Sequence, residues 1–109
     1  MTPTVDVLQG TLDLLILKAL LLGPLHGWGV SKRVRQLSND IFQINQGSLY
    51  PALYRLEDRG WIESDAGEND DGRRVRIYRL TAKGRRAFVA EHATWRTFAA
   101  TMDAVLAAT

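Results

Sequence analysis

Cysteine is absent from the 109 residues. Its absence excludes a disulfide scaffold, a thiolate metal site and a cysteine nucleophile. Histidine is scarce as well, with only His26 and His92. His26 stands at an expected helix start, where capping or packing is the common role. His92 follows Glu91 on a charged helix. So few candidate ligands argue against a zinc site, and the sequence assigns no metal and no cofactor. There is no phosphate-binding glycine loop. The stretch "HGWG", His26 to Gly29, resembles an oxyanion-hole motif, but no nucleophile elbow accompanies it. No acid–base constellation is present, so the chain does not read as an enzyme.

Long apolar runs are also lacking. The most apolar stretch, Leu12 to Leu22, is interrupted by Asp13 and Lys18 and ended by Gly23-Pro24. Spanning a bilayer takes about 20 apolar residues. The N-terminus lacks the basic start and cleavage pattern of a signal peptide. These features lead to the expectation of a cytoplasmic protein without a membrane partner. A large charge of one sign is missing too, since the formal net charge is +2. The distribution is uneven, however. "RRVRIYRLTAKGRR", Arg73 to Arg86, contains no acid, and the acidic "ENDD" of Glu68 to Asp71 lies just before it.

What is present suits one small domain with a modest core, because 46% of the residues are hydrophobic. "TLDLLILKALLL" predicts a first helix with Thr11 as N-cap, apolar on nearly all sides and therefore buried on more than one. A second helix is expected from Gly27 to Leu37, with Val30, Val34 and Leu37 on one face. Ser38-Asn39-Asp40 ends it, and "IFQI" reads as a short extended connector. In "INQGSLYPALYRLEDRG", a 100° wheel gathers Leu49, Ala52, Leu53 and Leu56 on one side. Gly47, Tyr50, Pro51, Tyr54 and Asp58 fall on the other, flanked by Ser48 and Arg55. A start near Ser48 is expected for this third helix, because it leaves Pro51 in the first turn, where its missing N–H costs no helical bond. An Asn45 cap is the alternative, at the cost of one bond. Gly60 is the expected stop.

"WIES" and "RRVRIYRL" predict two strands joined by the turn "DAGENDDG". Alternation puts Arg74, Arg76, Tyr78 and Leu80 on one side of the second strand. Thr81 is the expected N-cap of a last helix reaching about Ala107. On that helix Phe88, Trp95 and Met102 recur every seven residues, and Phe98 with Val105 makes a second row that Glu91 interrupts.

The expected fold is mostly α with a small β-hairpin: a winged helix-turn-helix domain over residues 1–80, then a long C-terminal dimerisation helix over 81–109. In such a module the second helix of the pair enters the major groove of DNA. That accounts for two tyrosines and a proline where water would otherwise be. Ser48, Tyr50, Pro51, Tyr54 and Arg55 on the third helix, with Arg73, Arg74 and Arg76 on the wing, are the expected DNA-binding residues. Lys32 and Arg33 are expected at the backbone. A merely solvated charged face is the plain alternative for the arginines. Dimerisation is expected through Leu12, Leu15, Phe88, Trp95, Phe98, Met102 and Val105, since so small a body cannot cover that seam. Part of the seam is expected to fold back on the first helix of its own chain. Trp95 and Phe98 are expected in the dimer core, with an aromatic effector pocket as the alternative. A two-fold dimer calls for double-stranded DNA bearing an inverted-repeat operator, with half-sites about 34 Å apart. A winged-helix module that binds another protein through the same face is the rival reading.

"LQGTLDLLILKALLLGPLHGWGVSKRV", "GSLYPALYRLEDRGWIES" and "GRRVRIYRLTAKG" closely resemble the PadR family of bacterial transcriptional regulators. The resemblance runs from Leu8 to the last helix and points to the branch with a single C-terminal helix. It implies a homodimeric repressor, joined through its first and last helices, on a pseudo-palindromic operator. It also implies room for a small aromatic effector, because many family members answer to a phenolic acid or a drug near the dimer interface. Two departures stand out. Trp28 replaces the Tyr common in the family's "HGYG" motif, which bears on packing near an effector site, and Ile77 stands where a second Tyr is common. Neither is expected on the DNA face.

Overall fold

The computed structural model describes Val5, Asp6 and residues 11–109. Leu8 to Gly10, where the family resemblance begins, lie outside the described residues. The element order is β1 (Val5–Asp6), α1 (Leu12–Leu21), β2 (Leu25–His26), α2 (Gly27–Leu37), β3 (Phe42–Gln43), α3 (Gln46–Asp58), β4 (Ile62–Glu68), β5 (Arg74–Leu80) and α4 (Ala82–Ala107).

Helix α1 is the central rod. Ile16, Leu17, Ala19 and Leu20 are buried in it, and Leu49, Ala52, Leu53 and Leu56 of α3 close over them with Val30 and Val34 of α2. The leucine face expected of α3 is therefore the core face. Leu37 departs from the expected apolar row of α2 and is 55% exposed. The cause is local: Asn39 and Asp40 take positive φ values, and Asp40 N–H reaches back to Arg35 O. That closure ends α2 before its last turn meets the core.

The stops are written in backbone hydrogen bonds. At the end of α3, Trp61 N–H donates to Leu56 O and Gly60 N–H to Glu57 O, with Gly60 at φ +76°. This is the Schellman closure that a glycine favours. At the start of α2, His26 is the cap, its Nδ1 accepting from Gly29 N–H at 3.0 Å. At the start of α4, Thr81 Oγ1 accepts from Gly84 N–H at 3.0 Å.

Two sequence expectations are corrected. Helix α3 begins at Gln46, not near Ser48. Asn45 is the cap, its side chain accepting from Gly47 N–H at 2.7 Å. Ser48 and Leu49 N–H groups both donate to Asn45 O, so a full turn precedes Pro51. Pro51 lies inside the helix, and Gly47 O is the carbonyl that loses its helical donor. An exposed carbonyl can turn to water instead, which keeps this substitution tolerable on the outer face. The wing is also longer than expected. Strand β4 runs to Glu68, and the turn shrinks to residues 69–73, held by Asn69 Oδ1, which accepts from Asp71 N–H and Arg73 N–H.

Strands β4 and β5 pair antiparallel from Ile62↔Leu80 to Glu68↔Arg74, and the short β2 adds to the other side of β5 at Leu25↔Tyr78 and His26↔Ile77. β1 pairs with β3 in parallel. Arg79 ties the outer face of the hairpin by ion pairs to Glu63 and Asp65. Among the described residues no helix is long and apolar enough to cross a membrane.

Helix α4 spans 26 residues, roughly 40 Å at 1.5 Å per residue. Its first turns are joined to the body, with Phe88 packed against the core and Lys18 Nζ 5.9 Å from the Phe88 ring centre. Beyond Phe88 it projects into solvent. The expected fold-back onto α1 therefore stops at Phe88.

Candidate nucleic-acid interface

The outer face of α3 carries Ser48, Tyr50, Pro51 and Tyr54, all exposed. Tyr54 is 76% exposed and Tyr50 50%. Tyr50 is not loose, however. A Cβ built on Gly27 would lie 2.9 Å from the Tyr50 ring, so the ring rests directly on the bare backbone at the start of α2. Only glycine permits that approach. The glycine of "HGWG" thus sets the direction in which Tyr50 leaves the surface.

The wing brings a second set of side chains to the same region. Arg73 and Arg74 are exposed, and among the described residues neither side chain has an acceptor within bonding distance. Arg76 is oriented: its Nε donates to Ser64 Oγ at 2.8 Å, and Ser64 Oγ donates to Glu57 Oε2 at 2.8 Å. The chain Arg76–Ser64–Glu57 links the wing to α3 and leaves the terminal guanidinium nitrogens of Arg76 without a partner in it. Tyr78, in the same row, is buried, as the alternation in β5 predicts. Burial holds its hydroxyl above the ordinary tyrosine pKa of 10.0, helped by the nearby Glu57 charge and opposed by Arg76. It is therefore a protonated donor at neutral pH.

Two residues expected on this surface, Arg33 and Arg55, are engaged by groups of their own chain. Arg33 reaches the C-terminal end of α1, with Nη1 donating to Ala19 O at 3.2 Å and Gly23 O at 3.4 Å. A cation there complements the helix dipole. Arg55 is paired with Asp13 of α1 at 2.8 Å, and Arg59 joins the same carboxylate at 3.6 Å. These contacts lock α3 against α1 and occupy the guanidinium of Arg55. Lys32 lies over the exposed Trp28 ring at 5.2 Å. Trp28, set aside in the sequence as remote from this face, lines a crevice with Tyr50 and Arg76. Composition and spacing do not reveal the Asp13 pairing, because it joins residues 42 apart in sequence. The two glycines of "HGWG" were the available signal for the crevice.

The seam residues on α4 are solvent-facing apart from Phe88. Trp95 is 41%, Phe98 54% and Met102 42% exposed, and Val105 is exposed. The Trp95 and Phe98 rings stack at 6.0 Å. Leu12, expected at a dimer interface, is 6% exposed in its own core and has no surface to offer. Leu15 is half-buried and lines an apolar depression with Lys18, Val34, Leu37 and Phe42.

A helix pair, a third helix with an aromatic outer face and a three-stranded wing together define a winged-helix transcriptional regulator. The chain belongs to the transcriptional regulator PadR-like family, whose model matches residues 16–90. It is 34% identical over 86 residues to an uncharacterised protein of Lysinibacillus sphaericus, covering 79% of this chain and 78% of that one. Among solved structures it is similar to a transcriptional regulator of Clostridium thermocellum, with 30% identity, a TM-score of 0.78 and coverage of 86% and 91% of the two chains. It is also similar to a PadR family transcription regulator of Clostridium difficile R20291, with 28% identity, a TM-score of 0.73 and coverage of 88% and 98%.

Proposed function

We propose that the protein is a sequence-specific DNA-binding repressor that grips an inverted-repeat operator as a homodimer. One observation carries this: the side of α3 opposite its buried leucines is occupied by Tyr50, Pro51 and Tyr54, all exposed, with Tyr50 resting on Gly27 beside the wing. Tyrosine hydroxyls can bond phosphates or base edges, and the ring and proline surfaces suit thymine methyls. Arg73 and Arg74, uncommitted at the wing tip, suit a phosphate or a narrow minor groove. Residues 1–80 act as the DNA-binding unit and residues 81–109 as the dimerisation helix. Arg33 and Arg55 support that unit from within. Repression and a small aromatic effector come to this chain through the family, and Trp95 and Phe98 serve as dimer core.

Selection of bound fragments from random duplexes tests the proposal, since an inverted repeat with half-sites about one helical turn apart is the expected product. On that operator Tyr50→Ala should weaken binding at least tenfold, in the range of about 1–3 kcal/mol for a lost base contact. Arg74→Ala should weaken binding to all duplexes and reduce the salt slope by about one for each protomer. Both variants should remain dimers. Parent-like binding by both would assign α3 and the wing to a protein partner instead.

A further inference from the structure

A crevice of about 190 Å³ opens where α2, α3 and the wing meet, lined by His26, Gly27, Trp28, Tyr50, Arg76 and Tyr78 among others. We infer that this crevice is a seat for one backbone phosphate of the bound duplex, received between the N-terminus of α2, the Tyr50 and Tyr78 hydroxyls and the Arg76 guanidinium. The inference rests on the DNA-binding reading above and adds Tyr78 and the start of α2 to the residues that reading used.

Four features of the site point to an anion. The first is the start of α2, an 11-residue helix whose positive dipole end lies at the crevice, with His26, Gly27 and Trp28 in its lining. His26 Nδ1 accepts only the Gly29 N–H. The second is Tyr78, at 8% exposure. Its hydroxyl has no hydrogen-bond partner among the described residues. It is not sealed in either, because the one fully enclosed side-chain polar atom without a partner there is Ser31 Oγ. A hydroxyl held at the crevice with no partner in its own chain is free to donate to a ligand there. The third is Arg76, whose Nε is fixed on Ser64 at 2.8 Å while its outer nitrogens stay available. The fourth is Gly27, whose missing Cβ lets the Tyr50 ring lie flat at the rim. Glu57 is the one acid near the Tyr78 hydroxyl, and Ser64 connects it to Arg76, so its charge is locally balanced.

The volume admits a phosphate. A phosphate seated here would hold one strand where α2 and the wing converge, while α3 presents Tyr50 and Tyr54 to the groove beside it. Contacts of this kind fix register and carry no sequence information. The phosphate oxygens would accept from two phenol hydroxyls and one guanidinium.

Tyr78→Phe removes only the hydroxyl and keeps the buried ring. It is expected to lower operator affinity about tenfold per dimer without altering the salt slope, since no charge is lost. An operator duplex scanned with neutral methylphosphonates, one linkage at a time, should show one linkage in each half-site whose replacement weakens the parent protein but scarcely affects Tyr78→Phe. The same replacement should abolish the shift of the Trp28 backbone amide that the unmodified duplex induces in the parent protein, a measurement that needs no variant. If the parent protein binds no duplex at low salt, the DNA reading itself fails. If the parent binds but Tyr78→Phe matches it, or every methylphosphonate costs both proteins equally, or the Trp28 amide does not move, the phosphate seat is overturned. Inorganic phosphate that shifts the Trp28 amide at millimolar concentration without competing with the duplex would assign the crevice to free phosphate and also overturn it.

Discussion

Phe98→Glu is expected to convert the proposed dimer to folded monomers. Phe98 is 54% exposed on a helix that, among the described residues, packs against the core only as far as Phe88. Trp95, its stacked neighbour, and Met102, one turn further, continue the same apolar surface. Contiguous apolar area of this kind rarely stays in water. In a two-fold dimer each substitution acts twice. Removing a buried aromatic anchor costs about 2 kcal/mol or more, and an unpaired carboxylate in its place adds to that. The pair should therefore raise the dimer dissociation constant at least about a thousandfold, or some 4 kcal/mol. Glutamate is a good helix former, so α4 itself should survive and far-UV circular dichroism should be little changed. Operator affinity should collapse with the dimer, because each protomer then holds one half-site alone. Sedimentation equilibrium at micromolar protein reads the outcome. An unchanged dimer would remove Phe98 from the interface.

Gly84→Ala is expected to unfold the module's junction with α4, and here intrinsic propensity predicts the opposite sign. Alanine is favoured over glycine in a helix by about 1 kcal/mol. The site, however, leaves no room. A Cβ on Gly84 would stand 1.9 Å from Trp61 O and 2.8 Å from its carbonyl carbon, with Leu80 Cδ1 at 3.0 Å. The nearest obstacle is backbone, which cannot rotate aside as a side chain does. That same carbonyl accepts from Thr81 N–H at 3.1 Å, and Thr81 Oγ1 lies 2.6 Å from Gly60 O. Moving α4 outward would break these bonds and the Thr81 cap together. Overpacking of this severity costs roughly 3 kcal/mol or more. For a chain of this size the melting temperature should fall by about 10 °C or more, compared at equal protein concentration because dimerisation also stabilises. A melting temperature equal to or above the parent's would show that α4 does not approach the wing this closely. The "LTAKG" stretch thus has a physical basis in this chain: threonine caps, and glycine admits the carbonyl of the preceding strand's neighbour.

The tyrosine face of α3 was legible in the sequence because a helix has one period and the leucines marked the other side. The register of β5 was legible for the same reason, with Tyr78 buried at the inner end of the row it shares with Arg74 and Arg76. The start of α3 was not. A proline is best tolerated in a first turn, and that local preference pointed to Ser48. Asn45 prevailed because its carbonyl and side chain both accept first-turn N–H groups, and the face that loses a bond at Pro51 looks to solvent. The wing turn was misjudged by composition. Asp65, Ala66 and Gly67 read as loop residues, yet their pairing with Ile77, Arg76 and Val75 continues the ladder.

By itself, the sequence determined the order of the four helices and the hairpin, the buried leucine face and the aromatic outer face, because these depend on periods of two and 3.6 and on local stop signals, whereas the short β1 and β2 form only by pairing with distant strands. Tertiary structure decided which arginines are free. Arg33 and Arg55 look like Arg74 in one dimension, but the folded chain brings the C-terminal carbonyls of α1 to the first and Asp13 to the second. Likewise the crevice exists only where Gly27, Tyr50, Arg76 and Tyr78 converge from three elements. Charge and hydroxyl chemistry are properties of a residue, whereas availability depends on what the fold places within about 3 Å of it.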